Sequence, residues 1–155
     1  MRNLDVSRSI LSLFLILGML SGCTVKYVAD YDSSVKEETV QIAKKVDLFW
    51  GTLIDTPVND RKYDAFKDQY NEIETGIRGL LIKNQIRELN KFSTKQVNNL
   101  LELWIEDKKI HKSSDTFSDF EAKRHRKQFV RVFIAIAKGE EAKKMGASSE
   151  SNETQ

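Results

Sequence analysis

Two histidines, a run of cations and a solitary cysteine are the side chains with most scope for chemistry in this 155-residue chain. His111 and His125, with Asp115 or Glu121 nearby, offer the donor types of a metal site if two helices bring them together. Their spacing is not specific and no His-x-x-x-His pair supports them, so no metal is expected. His125 falls on the side of Ala122 and Phe129 and reads as a core-edge histidine. The run Lys123-Arg124-His125-Arg126-Lys127, with Arg131 one turn on, is the best candidate interaction surface. On a helix Arg124, Lys127 and Arg131 share a face. Lys108, Lys109 and Lys112 lie beside them if the two helices pair, which would suit lipid head groups, lipopolysaccharide phosphates or an acidic protein face. However, Glu106, Asp107, Asp115, Asp119 and Glu121 are interleaved and cancel much of that field, which favours a solvated face. Glu102 and Glu106, at i and i+4, read as ordinary surface decoration. There is no nucleophile elbow, no His-Glu-x-x-His and no phosphate-cradling glycine loop, so neither catalysis nor a cofactor is expected.

Cys23 is the only cysteine, which rules out an intrachain disulfide. It closes a short apolar segment: Arg2 and Arg8 come first, then an apolar run from Ile10 to Leu20, then Leu20-Ser21-Gly22-Cys23. A cationic start and a short apolar run make the pattern of a secretory signal peptide. A membrane span needs about 20 apolar residues, and here polar Thr24, Lys26 and Asp30 follow at once. The tetrapeptide resembles the bacterial lipobox, an aliphatic residue and two small ones before a cysteine. That resemblance implies diacylglycerol on the Cys23 thiol, cleavage just before it, and acylation of the new amino group. It places the chain among Gram-negative lipoproteins without assigning a family, and it is similar to small envelope lipoproteins. Thr24 stands where aspartate would signal retention at the inner membrane, so the resemblance implies the outer membrane, facing the periplasm. Two or three acyl chains make such attachment effectively permanent, because each buried methylene contributes about 0.8 kcal/mol.

The elements that would carry these groups are helical. Charged residues make up 31% of the chain against a net charge of only +2, which argues against nucleic acid as a partner. There is one proline and there are seven glycines, few enough to leave long helices unbroken. Ser34-Val35-Lys36-Glu37 has capping-box spacing, and Val35, Thr39, Ile42, Val46, Phe49 and Leu53 then fall on one face. Thr56-Pro57 ends that helix, since the residue before proline is pushed out of the helical region. Asn59 or Asp60 is expected to cap a second helix with Tyr63, Phe66, Tyr70, Ile73, Ile77 and Leu80 inward, reaching Leu89. Gly76 and Gly79 near its middle read as close backbone approach or a kink. Ser93 and Gln96 fit a third capping box, with Phe92 and Val97 as its hydrophobic staple. Val97, Leu100, Leu101, Trp104 and Ile105 form the apolar face behind it. Ser118-Asp119-Phe120-Glu121 opens a fourth helix with Ala122, Phe129, Phe133 and Ile136 inward. Val130, Val132 and Ile134 make its second half apolar nearly all round and are expected to be well buried, with Gly139 as the stop. Tyr63, Tyr70, Trp50 and Trp104 can line a groove, although aromatics at helical spacing are more often core.

The expected organisation is therefore a signal peptide (1–22), a lipidated cysteine with a tether (23–32), a helical bundle (33–139) and a disordered tail (140–155). The fold class is all-α, an antiparallel bundle of about four helices. The expected function is a non-catalytic binding or structural module, held to the membrane by its acyl chains, with a protein partner in the envelope. The alternative is a protective lipoprotein that blocks an incoming toxin, phage component or conjugation factor. A cell-wall hydrolase is a third and weaker reading, which would need a cleft with a perturbed carboxylate.

Overall fold

Asp32, not Ser34, caps the first helix of the computed structural model, which describes residues 26–151. The Asp32 carboxylate accepts from the Ser34 backbone N–H at 2.8 Å and from its hydroxyl at 2.6 Å. Helix α1 (Ser33–Asp55) then runs until Thr56 turns extended ahead of Pro57, as proline sterics require. A short 3-10 turn, Val58–Asp60, occupies the place expected for a second cap. Helix α2 (Tyr63–Gln85) starts later, and its first N–H donates to Asp115 Oδ1 at 2.9 Å. It ends at Gln85 rather than Leu89, which takes a left-handed φ of 57° in the loop that follows.

Helix α3 (Lys91–Ser114) begins ahead of Ser93. Asn90 is its N-cap residue and is buried, with Nδ2 donating to the Asn84 carbonyl at 3.0 Å and to Asn84 Oδ1 at 2.9 Å. Thr94 Oγ1 donates to the same Asn84 carbonyl at 3.1 Å. These bonds to α2 start α3 early, so Ser93 lies inside the helix and Phe92 faces water instead of stapling to buried Val97. Helix α4 (Asp119–Ser151) opens on the capping box the sequence announces. The Ser118 N–H donates to Glu121 Oε2 at 2.9 Å, and the Glu121 N–H donates back to Ser118 Oγ at 3.3 Å.

Gly139 does not stop α4. No glycine among the described residues has a positive φ, and a Cβ on Gly139 would sit 3.1 Å from Gln96 Oε1. The near neighbour is the end of the Gln96 side chain on α3, and the bundle continues through buried Glu140 and Lys143. The expected boundary at 139/140 therefore moves outward. At Gly76 a Cβ would meet Ile42 of α1 at 3.5 Å, an ordinary packing distance.

The fold is all-α, four helices with no strand among the described residues. Helix α1 packs on α4 and α2, and α3 packs on α2 and α4. One end of the bundle is aromatic: Phe49 meets Trp50, Phe66, Tyr70 and Trp104 edge-on, with ring centroids 4.5–5.7 Å apart. Each such pair is worth about 0.5–1.5 kcal/mol beyond the area it buries. The other end is filled by aliphatic residues such as Val35, Ile77, Leu80 and Val97. Among the described residues no helix is long and apolar enough to cross a membrane.

Candidate functional site

The polar groups of the aromatic end are buried and committed to one another. Arg61, on the connection between α1 and α2, is 2% exposed and was not singled out from sequence. Its guanidinium donates to the carbonyls of Thr56 (2.8 Å), Ile54 (2.9 Å) and Phe117 (3.0 Å), and to Asp119 Oδ1 (2.6 Å). It thereby fills the carbonyls left open at the end of α1 and binds them to the start of α4. The Arg61 carbonyl in turn accepts from His111 Nε2 at 2.8 Å. That fixes the proton on Nε2, so His111 Nδ1 accepts from the Tyr70 hydroxyl at 3.2 Å. Burial pushes the His111 imidazole below its ordinary pKa, while the Arg61 carbonyl pulls it up. Burial also drives the Tyr70 phenol far above its ordinary value, with the Asp107 charge adding to it.

His125 is core, stacked on Trp50 at 5.2 Å with their planes 12° apart. Its partner is Asp107, not Asp115 or Glu121: His125 Nδ1 lies 2.8 Å from Asp107 Oδ2. Among the described residues neither atom has another hydrogen-bond partner. Burial raises the Asp107 carboxyl, against the lowering pull of His125 and then Arg124. The two histidines flank Phe117, with ring centroids 4.9 and 5.3 Å from it. They do not converge on a shared carboxylate. Among the described residues no group of three His, Cys, Asp or Glu side chains is placed to hold a metal ion.

The seven cations of the expected anionic-partner surface are dispersed. Lys108 turns to α2, donating to Asn71 Oδ1 at 2.7 Å and Glu74 Oε2 at 2.9 Å. Arg124 lies against His125, and Lys123 is 4.0 Å from Asp119. Lys109, Lys112, Lys127 and Arg131 are exposed. Of these, Lys127 and Arg131 follow Lys123 along the outer side of α4 at one-turn spacing. Cys23 and its tetrapeptide lie outside the described residues.

The outer side of α4 borders an open concavity of the bundle. Val130 and Ile134, expected in the core, are exposed and face a groove of about 590 Å³ between α1 and α4. Val40, Ala43 and Leu48 line the α1 wall, and Leu48 is 70% exposed. Leaving three large apolar side chains in water forgoes about 1.5–3 kcal/mol of burial for each one fully covered. The groove is gated by one ion pair, Arg126 Nε and Nη2 each 2.7 Å from the two Asp47 oxygens. The Arg126 hydrogen bond holds the Asp47 carboxyl low, and the pair crosses from α4 to α1. Lys44 and Asp55 lie further along the α1 wall. Concave, mostly apolar and edged by a few charges, the groove has the makings of a binding site. Its polar lining is Lys44, Asp47, Thr52, Asp55 and Arg126.

A second polar cluster pins the incoming chain to the opposite end. Glu140, 2% exposed, takes Arg87 Nη2 at 3.0 Å, Lys143 Nζ at 2.5 Å and the Asp32 backbone N–H at 2.9 Å. Burial tends to raise its carboxyl, yet Arg87 and Lys143 bring it below the ordinary value. Lys143 also reaches Asn90 Oδ1 at 2.6 Å, and Arg87 reaches the Asp30 carbonyl. Residues 26–32 were expected to be a bare tether. They are instead clasped to the bundle, which no local sequence pattern announces.

Fold and groove together define a four-helix domain with a structural polar interior and an open apolar groove between α1 and α4. Comparison with known proteins returns nothing similar: no family model, no curated protein and no solved structure matches the chain.

Proposed function

We propose that this chain is a membrane-anchored, non-catalytic binding module of the cell envelope, and that the α1–α4 groove is where it binds. The uncovered apolar surface of Leu48, Val130 and Ile134 on a preformed groove carries the reading. The signal-like segment ending at Cys23 supports the anchor, and the resemblance of that segment supports the outer membrane facing the periplasm. Anchoring raises the local concentration of the domain toward neighbours in the same membrane.

The ligand suited to the groove is an amphipathic helix from another protein. A trough between two helices accepts a third, with apolar anchors at i, i+3, i+4 and i+7. Lys123, Lys127 and Arg131 along the α4 edge call for acidic residues on one flank of that helix. A photoreactive amino acid at Ile134, in the full chain in cells, tests this, with Lys112 on α3 as the control site. We expect one dominant protein adduct at 134, mapped to a helix with an acidic flank, and its loss in Leu48→Asp. No protein adduct at 134, or equal adducts at 112, would refute the groove as the binding site. An adduct to a protein of foreign origin would replace the adaptor reading with the protective one.

A further inference from the structure

The end of the bundle where the chain enters carries a second apolar surface, apart from the groove. Tyr27, Val28, Ile86, Leu89 and Phe92 all stand in water there, with Tyr27 80% exposed and Ile86 and Phe92 each 77%. The clasp brings Val28 beside Leu89. The Ala29 N–H donates to the Leu89 carbonyl at 3.2 Å, and Val28 and Leu89 border one open cavity of about 610 Å³. The exposure is built in rather than incidental. Leu89 holds a left-handed φ of 57°, a conformation leucine rarely adopts. Phe92 stays outside because the Asn84–Asn90 pair starts α3 before a staple can form.

The charges around this surface nearly balance. Lys26 bridges Asp30 at 2.8 Å, Arg87 is committed to Glu140, and exposed Lys91 and Lys95 stand near exposed Glu88. A strongly acidic or basic partner therefore finds little to recognise. Aromatic and aliphatic side chains among lysines are what the interfacial layer of a bilayer accepts. Placement agrees: Cys23, the residue expected to carry the acyl chains, precedes this end of the bundle in sequence. Five residues lie between Cys23 and clasped Ala29, a span of six residue steps that reaches about 20 Å when extended.

We propose that Tyr27, Val28, Ile86, Leu89 and Phe92 form a membrane-seating surface. It enters the headgroup layer and holds the bundle in one orientation instead of letting it swing on a free tether. This rests on the anchored reading, because the preceding segment delivers the surface to the bilayer.

The test uses full chain carrying Phe92→Trp, made in cells, purified in detergent and reconstituted into phosphatidylethanolamine–phosphatidylglycerol vesicles containing acyl-brominated lipid. Buried Trp50 and Trp104 supply a constant background. We expect bromolipid to quench the added emission about twofold, equally at low and high salt, and Tyr27→Trp to behave alike. Leu48→Trp, in the groove, should be little quenched. Quenching of Leu48→Trp as strong as that of Phe92→Trp, or none at either Phe92→Trp or Tyr27→Trp, overturns the proposal. Fatty-acid labelling of Cys23 on the same preparation reads the anchor separately. Labelled but unquenched protein sinks the seating alone. Unlabelled protein that is still quenched supports the seating and sinks the lipid anchor.

Discussion

His111 sits between two fixed partners, and that makes its protonation a stability switch. Nε2 donates to the Arg61 carbonyl and Nδ1 accepts from Tyr70, so the ring fits only as the neutral form. Burial puts its folded pKa below the ordinary 6.5, so the unfolded chain binds the proton more readily. The stability the neutral ring contributes is complete above about 6.5 and drains away as pH falls from there through the folded value. The urea midpoint should be lower at pH 5 than at pH 7.5. His111→Gln, though less stable overall, should show a smaller difference, since His125 is retained in both proteins. An unchanged difference would place the titration elsewhere. The residue scale was also where sequence was least informative. His125 was legible as core from its place beside Ala122 and Phe129. Its partner Asp107 was not, because an aspartate within Glu106-Asp107-Lys108-Lys109 looks like surface charge. Arg61 gave no signal at all, since its burial depends on carbonyls five to fifty-six residues away.

Helix starts show which local patterns can be trusted. The box at Ser118 was readable because both of its bonds lie within four consecutive residues. The box at Ser93 has equally good spacing and fails, because Asn84, six residues before Asn90, captures the start of α3 from outside the pattern. At α1 the contest is between neighbours: Asp32 presents a carboxylate to the Ser34 N–H, and Ser34 only donates its hydroxyl back. A carboxylate at the N-terminus also meets the positive end of the helix dipole. Asp32→Ala should therefore cost about 1 kcal/mol. Ser34→Ala should cost only a few tenths, since it removes a helper and not the cap. Denaturant midpoints of the two variants decide it, and equal losses would restore Ser34 as the cap. The apolar stripes of α1 and α2 needed no such help: Val35 to Leu53 and Tyr63 to Leu80 are buried at the expected spacing. In α4 the stripe Ala122, Phe129, Phe133 and Ile136 is buried as well, while Val130 and Ile134, apolar but off that stripe, border an open groove.

At the scale of the molecule, the bundle is closed by side chains distant in sequence. Glu140 collects Asp32 from the start of α1, Arg87 from the loop after α2 and Lys143 from its own helix, and Lys143 passes the link to Asn90. The chain beyond Gly139 was expected to be a disordered tail, an expectation that misses a buried carboxylate whose partners are all polar. Removing one member of a buried charge cluster leaves the others desolvated without compensation, at about 3–5 kcal/mol. A domain of this size has about 5–15 kcal/mol in total, so the clasp is a large fraction of it. A chain ending at Gly139 should lose roughly that amount, with its unfolding midpoint followed by helical circular dichroism. Its Ala29 amide, bonded to the Leu89 carbonyl only while residues 26–32 are held, should exchange with solvent much faster. A chain ending at Met145 keeps Glu140 and Lys143, and should match the full chain in both measurements. If both truncations behave like the full chain, Glu140 does not hold the incoming segment and the bundle ends where periodicity alone would place it.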